Sequence, residues 1–227
     1  MKRALIIANW KLNPLKLSQA KELAEAILVS SPHEVVLCPP AVYLPEIKFA
    51  KLGAQDCFWQ LKGPYTGQLS AAQLKDLGVS YCIVGHSERR SLGETSEMVS
   101  AKISALLDQG ITPVLCVGFG TTPSEDDLAV VDVLRAQLDE ALEGHDAKKI
   151  VVAYEPVWAI GSGKPATSEH AEQIAMFIHT KFNVKKVLYG GSVNSTNSVE
   201  FLSQDHIDGL LVGSSSLLPE EFNKIIS

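Results

Sequence analysis

A chain of 227 residues with 20 Lys plus Arg, 26 Asp plus Glu and 46% apolar residues carries a formal charge of −6. At this length folding buries roughly 70–75% of the surface that the unfolded chain exposes, so a core needs neither disulfides nor a structural metal. The acidic balance argues against non-specific nucleic-acid or anionic-membrane binding, since either needs a basic surface.

Residues 4–9, the first strand candidate, follow Met1-Lys2-Arg3 in the arrangement of a secretory leader, but Asn9 and Lys11 break the apolar run after Ala8 and no small-residue cleavage site follows. Ser18 then precedes a helical stretch with Leu23, Ala24, Ile27 and Leu28 on one face. Residues 35–38 and, more weakly, 53–57 read as strands, followed by 81–85. Met98, Ile103, Leu106 and Leu107 mark a helix that stops at Gly110. After a strand at 112–118, Ser124-Glu125-Asp126-Asp127 is a capping pattern that opens a helix carrying Val130, Val131, Leu134, Leu138 and Leu142, closed by Gly144. A strand at 150–155 leads to a helix capped by Thr167 or Ser168 with Ile174, Phe177 and Ile178 inward. Strands at 186–190 and 209–213 complete the series.

Eight strands in 227 residues give about 28 residues per unit, enough for one strand, one helix and two short loops. The alternation predicts an α/β fold with a parallel sheet and outer helices, and no linker divides the chain, so residues 1–227 are expected to form a single domain. An open doubly wound sheet would show G-x-G-x-x-G after the first strand; Asn9-Trp10-Lys11 stands there instead, which favours a closed eight-stranded barrel. The four cysteines, Cys38, Cys57, Cys82 and Cys116, are scattered without metal-ligand spacing and read as reduced, mostly buried thiols. No run approaches the roughly 18 apolar residues of a membrane span, so a cytoplasmic location is expected.

The active site of such a barrel lies at the C-terminal ends of its strands. Those ends carry Asn9 and Lys11, His86-Ser87-Glu88, Glu155, Gly190-Gly191-Ser192 and Gly213-Ser214. An isolated glutamate before a proline is more often a cap or an ion-pair partner than a catalyst. At a barrel mouth Glu155 becomes a base able to take a carbon-bound proton once water is excluded. Of the six histidines His86 alone ends a strongly apolar strand, and Lys11 is the nearest cation for an anionic substrate. The two glycine-containing ends suit backbone N–H binding of phosphate, although tight turns explain them equally well. Between Pro156 and Thr167 the loop is long for a βα connection, contains Gly161-Ser162-Gly163-Lys164 and opens on Val157-Trp158, which suggests a lid.

These segments resemble the triosephosphate isomerase family from end to end. The likeness is carried by Asn9-Trp10-Lys11, Tyr65-Thr66-Gly67, residues 84–90, residues 153–161, residues 189–193 and Leu211-Val212-Gly213, in the family's order. It implies a TIM barrel that interconverts two phosphorylated trioses through an enediolate, without metal or organic cofactor. By position it makes Glu155 the base and His86 the electrophile, with Lys11 supplying positive charge to the substrate and Asn9 adding a hydrogen bond in the same pocket. Gly161, Ser192, Gly213 and Ser214 would hold the phosphate, with Ser87, Glu88 and Tyr189 supporting. Residues 156–166, including Pro156, Val157, Trp158, Lys164 and Ala166, would form the lid. The loop with Tyr65, Thr66 and Gly67 would enter a second subunit of a homodimer.

Some positions depart from the family pattern. Gln68 replaces a glutamate expected to pair with Arg89 of the partner subunit, and Phe119 replaces a glutamate associated with the closed lid. Ser214 stands where a second glycine is common, and Asp56 where asparagine is usual. The connection before Ser124 is short. Two other readings fit parts of the pattern: an aldolase in which Lys11 forms a Schiff base, and a barrel that binds phosphate without catalysis.

Overall fold

The computed structural model describes residues 2–28, 30–122, 127–159 and 166–227. Every expected apolar run becomes a strand: β1 (Leu5–Asn9), β2 (Glu34–Cys38), β3 (Leu52–Ala54), β4 (Val79–Val84), β5 (Thr112–Val117), β6 (Val151–Tyr154), β7 (Lys186–Tyr189) and β8 (Gly209–Val212). Each pairs in parallel with its neighbours in chain order, and β8 returns to β1 with Leu5 opposite Gly209, closing a (β/α)8 TIM barrel. Closure at this seam demands a residue without a side chain, because a Cβ on Gly209 would lie 1.9 Å from the Leu5 carbonyl oxygen.

The strands are apolar on both faces because both faces are covered. One set of side chains, including Leu5, Ile7, Ile83, Val114 and Leu188, fills the barrel axis. The alternate set, including Ile6, Leu37, Cys82, Val152 and Leu210, meets the helices outside. All four cysteines are free and buried within these layers, as their spacing predicts.

The helices are α1 (Leu17–Ala26), α2 (Ala71–Asp76), α3 (Ser87–Arg90), α4 (Ser96–Asp108), α5 (Asp127–Leu142), α6 (Ser168–Phe182), α7 (Ser198–Leu202) and α8 (Pro219–Ile225). Thr167 caps α6, its hydroxyl accepting the His170 N–H at 3.2 Å, and Thr95 does the same for α4 through Met98. Residues 124–126 of the expected cap of α5 lie outside the described residues.

Three local expectations need correction. Helix α1 begins at Leu17 after an extended Lys16, so Ser18 sits inside its first turn instead of ahead of it. The helix ends at Ala26, and Leu28, past the extended Ile27, is exposed. Strand β3 is three residues long and leaves the sheet after Ala54, with a register shift against β4. Its next residue, Gln55, bonds with its side chain to the Cys38 carbonyl, so a side-chain amide takes over at the strand's edge.

Candidate active site

The alternation that fills the barrel axis continues to its rim. Leu5 and Ile7 face the axis, so Asn9 is next on that face of β1; Val151 and Ala153 lead likewise to Glu155, and Leu211 to Gly213. An amide, a carboxylate and a position without a side chain reach one mouth by parity alone.

His86 arrives differently. After β4 ends at Val84, Gly85 takes φ +68° and turns the chain, making His86 the N-cap residue of α3. Its Nδ1 accepts the Glu88 backbone N–H at 3.2 Å, which leaves the proton of a neutral ring on Nε2. That Nε2 lies 3.0 Å from Glu155 Oε1, while Glu155 Oε2 accepts the Ser87 backbone N–H at 3.0 Å. Burial disfavours a charged His86, but the Glu155 carboxylate, helped by Glu88 and opposed by Lys11, outweighs it and holds the imidazole pKa above its ordinary 6.5.

Lys11 adopts the left-handed conformation, φ 53°, that residues with a side chain rarely adopt. Asn9 Oδ1 accepts its N–H at 3.0 Å, and Gln55 Nε2 donates to its carbonyl at 2.8 Å. Held this way, its Nζ reaches Glu88 Oε1 at 2.7 Å.

Asn9, Lys11, His86, Glu155, Ser192, Gly213 and Ser214 line a single cavity of about 400 Å³, with Asn13, Asn194 and Ser215 among its further walls. Gly213 flanks the Lys11 side chain, and a 3₁₀ turn over Ser214–Leu217 follows it. Such a turn leaves the N–H groups of Ser214 and Ser215 without partners inside it, beside a cation. The combination suits a small anionic ligand.

Tyr189 does not line the cavity. It lies on the opposite parity from Leu188, stacks on Phe201 at 4.0 Å, and accepts the Ala166 N–H with its hydroxyl at 3.0 Å. Burial raises its phenol pKa to about 12, so it remains protonated. At the other end of the 156–166 segment, the Ser192 hydroxyl donates to the Ala159 carbonyl at 2.5 Å. Pro156 is buried, and Val157 and Trp158 form a half-buried 3₁₀ turn with Ala159. Residues around β7 therefore fasten both described ends of the segment, while Gly161 and Lys164 lie outside the described residues.

Comparison with known proteins places these features. A family model described as triosephosphate isomerase matches residues 4–227. The chain is 39% identical to the triosephosphate isomerase of Thermoanaerobacter pseudethanolicus over 100% of both chains. It is 41% identical to that of Aquifex aeolicus over 99% of this chain and 98% of the relative. For that of Coprinopsis cinerea the figures are 43%, 93% and 92%. The chain belongs to the triosephosphate isomerase family.

Membership makes the chain an isomerase and directs attention to where it departs from other triosephosphate isomerases. Ser214 has no left-handed φ, so its side chain is accommodated without strain. At Phe119 the turn is held through the main chain: Gln137 of α5 accepts the Gly118 N–H at 2.9 Å and donates to the Phe119 carbonyl at 2.6 Å. Gln68 lies in a stretch, residues 60–69, that is exposed throughout and includes Tyr65, Thr66 and Gly67. Arg89 finds its carboxylate within its own chain, Nη2 lying 2.9 Å from Asp56 Oδ2.

Two contributors escape a reading of the sequence for chemistry. Gln55, which holds both Lys11 and β2, could have been found as a polar residue at a strand's C-terminal end. Lys102 lies on the buried face of α4 with Val99, Ile103 and Leu106, and a lysine at a core position signals a buried ion pair.

Proposed function

We propose that this chain interconverts dihydroxyacetone phosphate and D-glyceraldehyde 3-phosphate by proton transfer through an enediolate. The carrying observation is the 3.0 Å contact of Glu155 with His86 Nε2 in a cavity that also holds Lys11 and the Gly213–Ser214 turn.

Glu155 is the base. Its side chain is 3% exposed, and to act it must release the Ser87 N–H and His86. The carboxylate then takes a proton from the carbon next to the carbonyl; that C–H electron pair forms a C=C bond, and the carbonyl π pair moves to oxygen. His86 Nε2–H and Lys11 Nζ meet the new charge and Asn9 adds a hydrogen bond, all more effective out of water. Release of Glu155 from His86 also removes the charge that favours the imidazolium, so the neutral ring is the form that meets the substrate. Returning the proton to the neighbouring carbon, with His86 moving oxygen-bound protons, completes the isomerisation.

The phosphate sits against the N–H groups of Ser192, Gly213 and Ser214, which line the cavity, and Gly161, which lies outside the described residues, is the further contact that the family resemblance implies. The lid over 156–166 excludes water, which protects an enediolate that would otherwise eliminate its phosphate. A Schiff-base aldolase fits less well, because it uses Lys11 and leaves the buried Glu155–His86 contact without a role.

The active form is a homodimer in the cytoplasm, working in glycolysis. The dimer reading is supported by the apolar side chains that the lone chain leaves exposed, among them Leu61, Tyr65 and Leu69 of the 60–69 stretch. Among the described residues no helix is long and apolar enough to cross a membrane.

A coupled assay with D-glyceraldehyde 3-phosphate tests the reading, and absence of turnover refutes it. Glu155→Asp retracts the carboxylate by one methylene and is expected to lower kcat on the order of 10²-fold with an unchanged circular dichroism spectrum. Near-parental turnover in that variant would sink the base assignment.

A further inference from the structure

Behind His86 and Lys11 lies a cluster of charges that the reaction does not touch. Lys102, 3% exposed on α4, donates from Nζ to Asp56 Oδ1 at 2.6 Å and to Glu94 Oε1. Glu94 Oε2 in turn accepts the backbone N–H of Gly85 at 3.0 Å. The Gly85 carbonyl accepts from Arg90 Nε at 2.9 Å, so both backbone polar groups of the residue that precedes His86 are tied to side chains. No residue with a side chain fits at Gly85 without strain: φ is +68°, and a Cβ would lie 3.0 Å from Arg90 Nη2, 3.2 Å from Cys116 O and 3.3 Å from Val99 Cγ2.

Asp56 extends the cluster in two directions. Its Oδ2 pairs with Arg89, the residue after the Glu88 that holds Lys11 Nζ. Along the chain it follows Gln55, which donates to the Lys11 carbonyl. The cluster is thus joined to the backbone of both groups that face the developing charge. Burial disfavours the Lys102 ammonium, yet the two carboxylates more than compensate and hold its pKa above the ordinary lysine value. Taking away that cation would strand the buried Glu94 carboxylate and leave Asp56 to Arg89 alone, which is far more disruptive than never having buried the charge.

We propose that Lys102 is a positioning residue for catalysis, acting through Glu94 on the Gly85–His86 backbone and through Asp56 on the segment that holds Lys11. The proposal rests on the roles assigned above to His86 and Lys11. Its physical content is that Lys102 fixes the Glu94 carboxylate against one N–H. If that anchor is lost, the His86 imidazole has more than one orientation, and the transition state, which needs Nε2 at one place, suffers more than substrate binding does.

The test is steady-state kinetics in both directions with ¹⁵N NMR of the His86 imidazole. Lys102→Met is expected to lower kcat about 10- to 100-fold, change KM less than about threefold and move the His86 nitrogen resonances. Lys102→Met combined with Glu94→Gln removes one stranded charge and restores an amide oxygen for the Gly85 N–H; kcat is expected to recover to within about fivefold of the parent. A folded Lys102→Met enzyme with parental kcat and unmoved resonances overturns the proposal, and so does a folded double variant that stays as slow as the single one. Should Lys102→Met fail to fold, Glu94→Gln against Glu94→Met carries the test: the first keeps the acceptor and is expected within about threefold of parental kcat, the second to lose about 10-fold or more. Equal rates overturn the proposal. His86→Gln, assayed alongside, separates the two levels: if it retains parental turnover the site reading fails, whereas a slow His86→Gln beside a fast Lys102→Met defeats only the positioning role.

Discussion

Lys11 shows most directly how the site departs from ordinary backbone preferences. A φ of 53° costs a residue with a side chain on the order of 1–3 kcal/mol, and it persists because Asn9 and Gln55 hold the N–H and the carbonyl of the same residue. The His86–Glu155 pair is a second concentration of energy at this scale, and it is pH-dependent. Because the folded-state pKa of His86 is raised above 6.5, the pair's stabilisation is complete below about pH 6.5 and is lost as pH rises through the higher folded value. The thermal midpoint of the parent relative to His86→Gln is therefore expected to be most favourable near pH 6 and to decline towards pH 8.5, followed by circular dichroism. An advantage that grows with pH would contradict the assigned direction. Substrate that draws Glu155 away should erase the trend, since the carboxylate is its main cause.

Among the elements, β7 and the residues after it do more than add a strand. Tyr189 holds Ala166 and Ser192 holds Ala159, so the two described ends of the 156–166 segment are fastened to one place. Tyr189→Phe keeps the ring stacked on Phe201 and deletes only the acceptor of the Ala166 N–H. It is expected to lower kcat/KM about 10-fold, the equivalent of one buried hydrogen bond of roughly 1.4 kcal/mol, while the thermal midpoint stays within a few degrees. A variant indistinguishable from the parent in kcat/KM would detach Tyr189 from lid function. The elements were largely legible in the sequence because strands buried on both faces are near-continuous apolar runs, a signal that needs no tertiary information. The same parity delivers Asn9 and Glu155 to the mouth. What the pattern does not carry is the partner of a side chain that acts across the chain on backbone: Gln55 stands at a legible strand end, but its hold on Lys11 is not legible there, nor is that of Glu94 on Gly85 or Gln137 on Gly118. Such contacts leave no periodic trace. The ends of α1 and β3 depart from the pattern for a related reason, since Ile27 turns extended and Gln55 replaces a strand bond with a side-chain bond, and neither event has a composition.

At the scale of the whole molecule, the proposed homodimer would form through the exposed 60–69 stretch, with Arg89 and Asp56 as the charges to account for. Tyr65 rests on Phe58 at 4.7 Å between ring centroids and remains partly exposed, a rigid aromatic suited to the centre of an interface. Residue 68, where a carboxylate would be expected to reach for a partner's arginine, is the neutral Gln68, and Arg89 is already paired with Asp56 of its own chain. The carboxylate has in effect moved from the far side of the proposed interface to the near side. Association should then depend on apolar burial and hardly on ion pairing across the contact, so it should be little screened by salt. Sedimentation equilibrium is expected to give a dimer whose dissociation constant changes less than about threefold between 50 mM and 500 mM NaCl, because no cross-subunit pair of full charges is lost. Tyr65→Asp, by contrast, places a charge in the apolar contact and is expected to weaken association by about 100-fold or more. Asp56→Asn frees Arg89 and makes the contact more basic, which should introduce the missing salt dependence. A dimer that dissociates steeply with salt in the parent would show that charge is still exchanged between subunits and that the Arg89–Asp56 pair does not survive assembly.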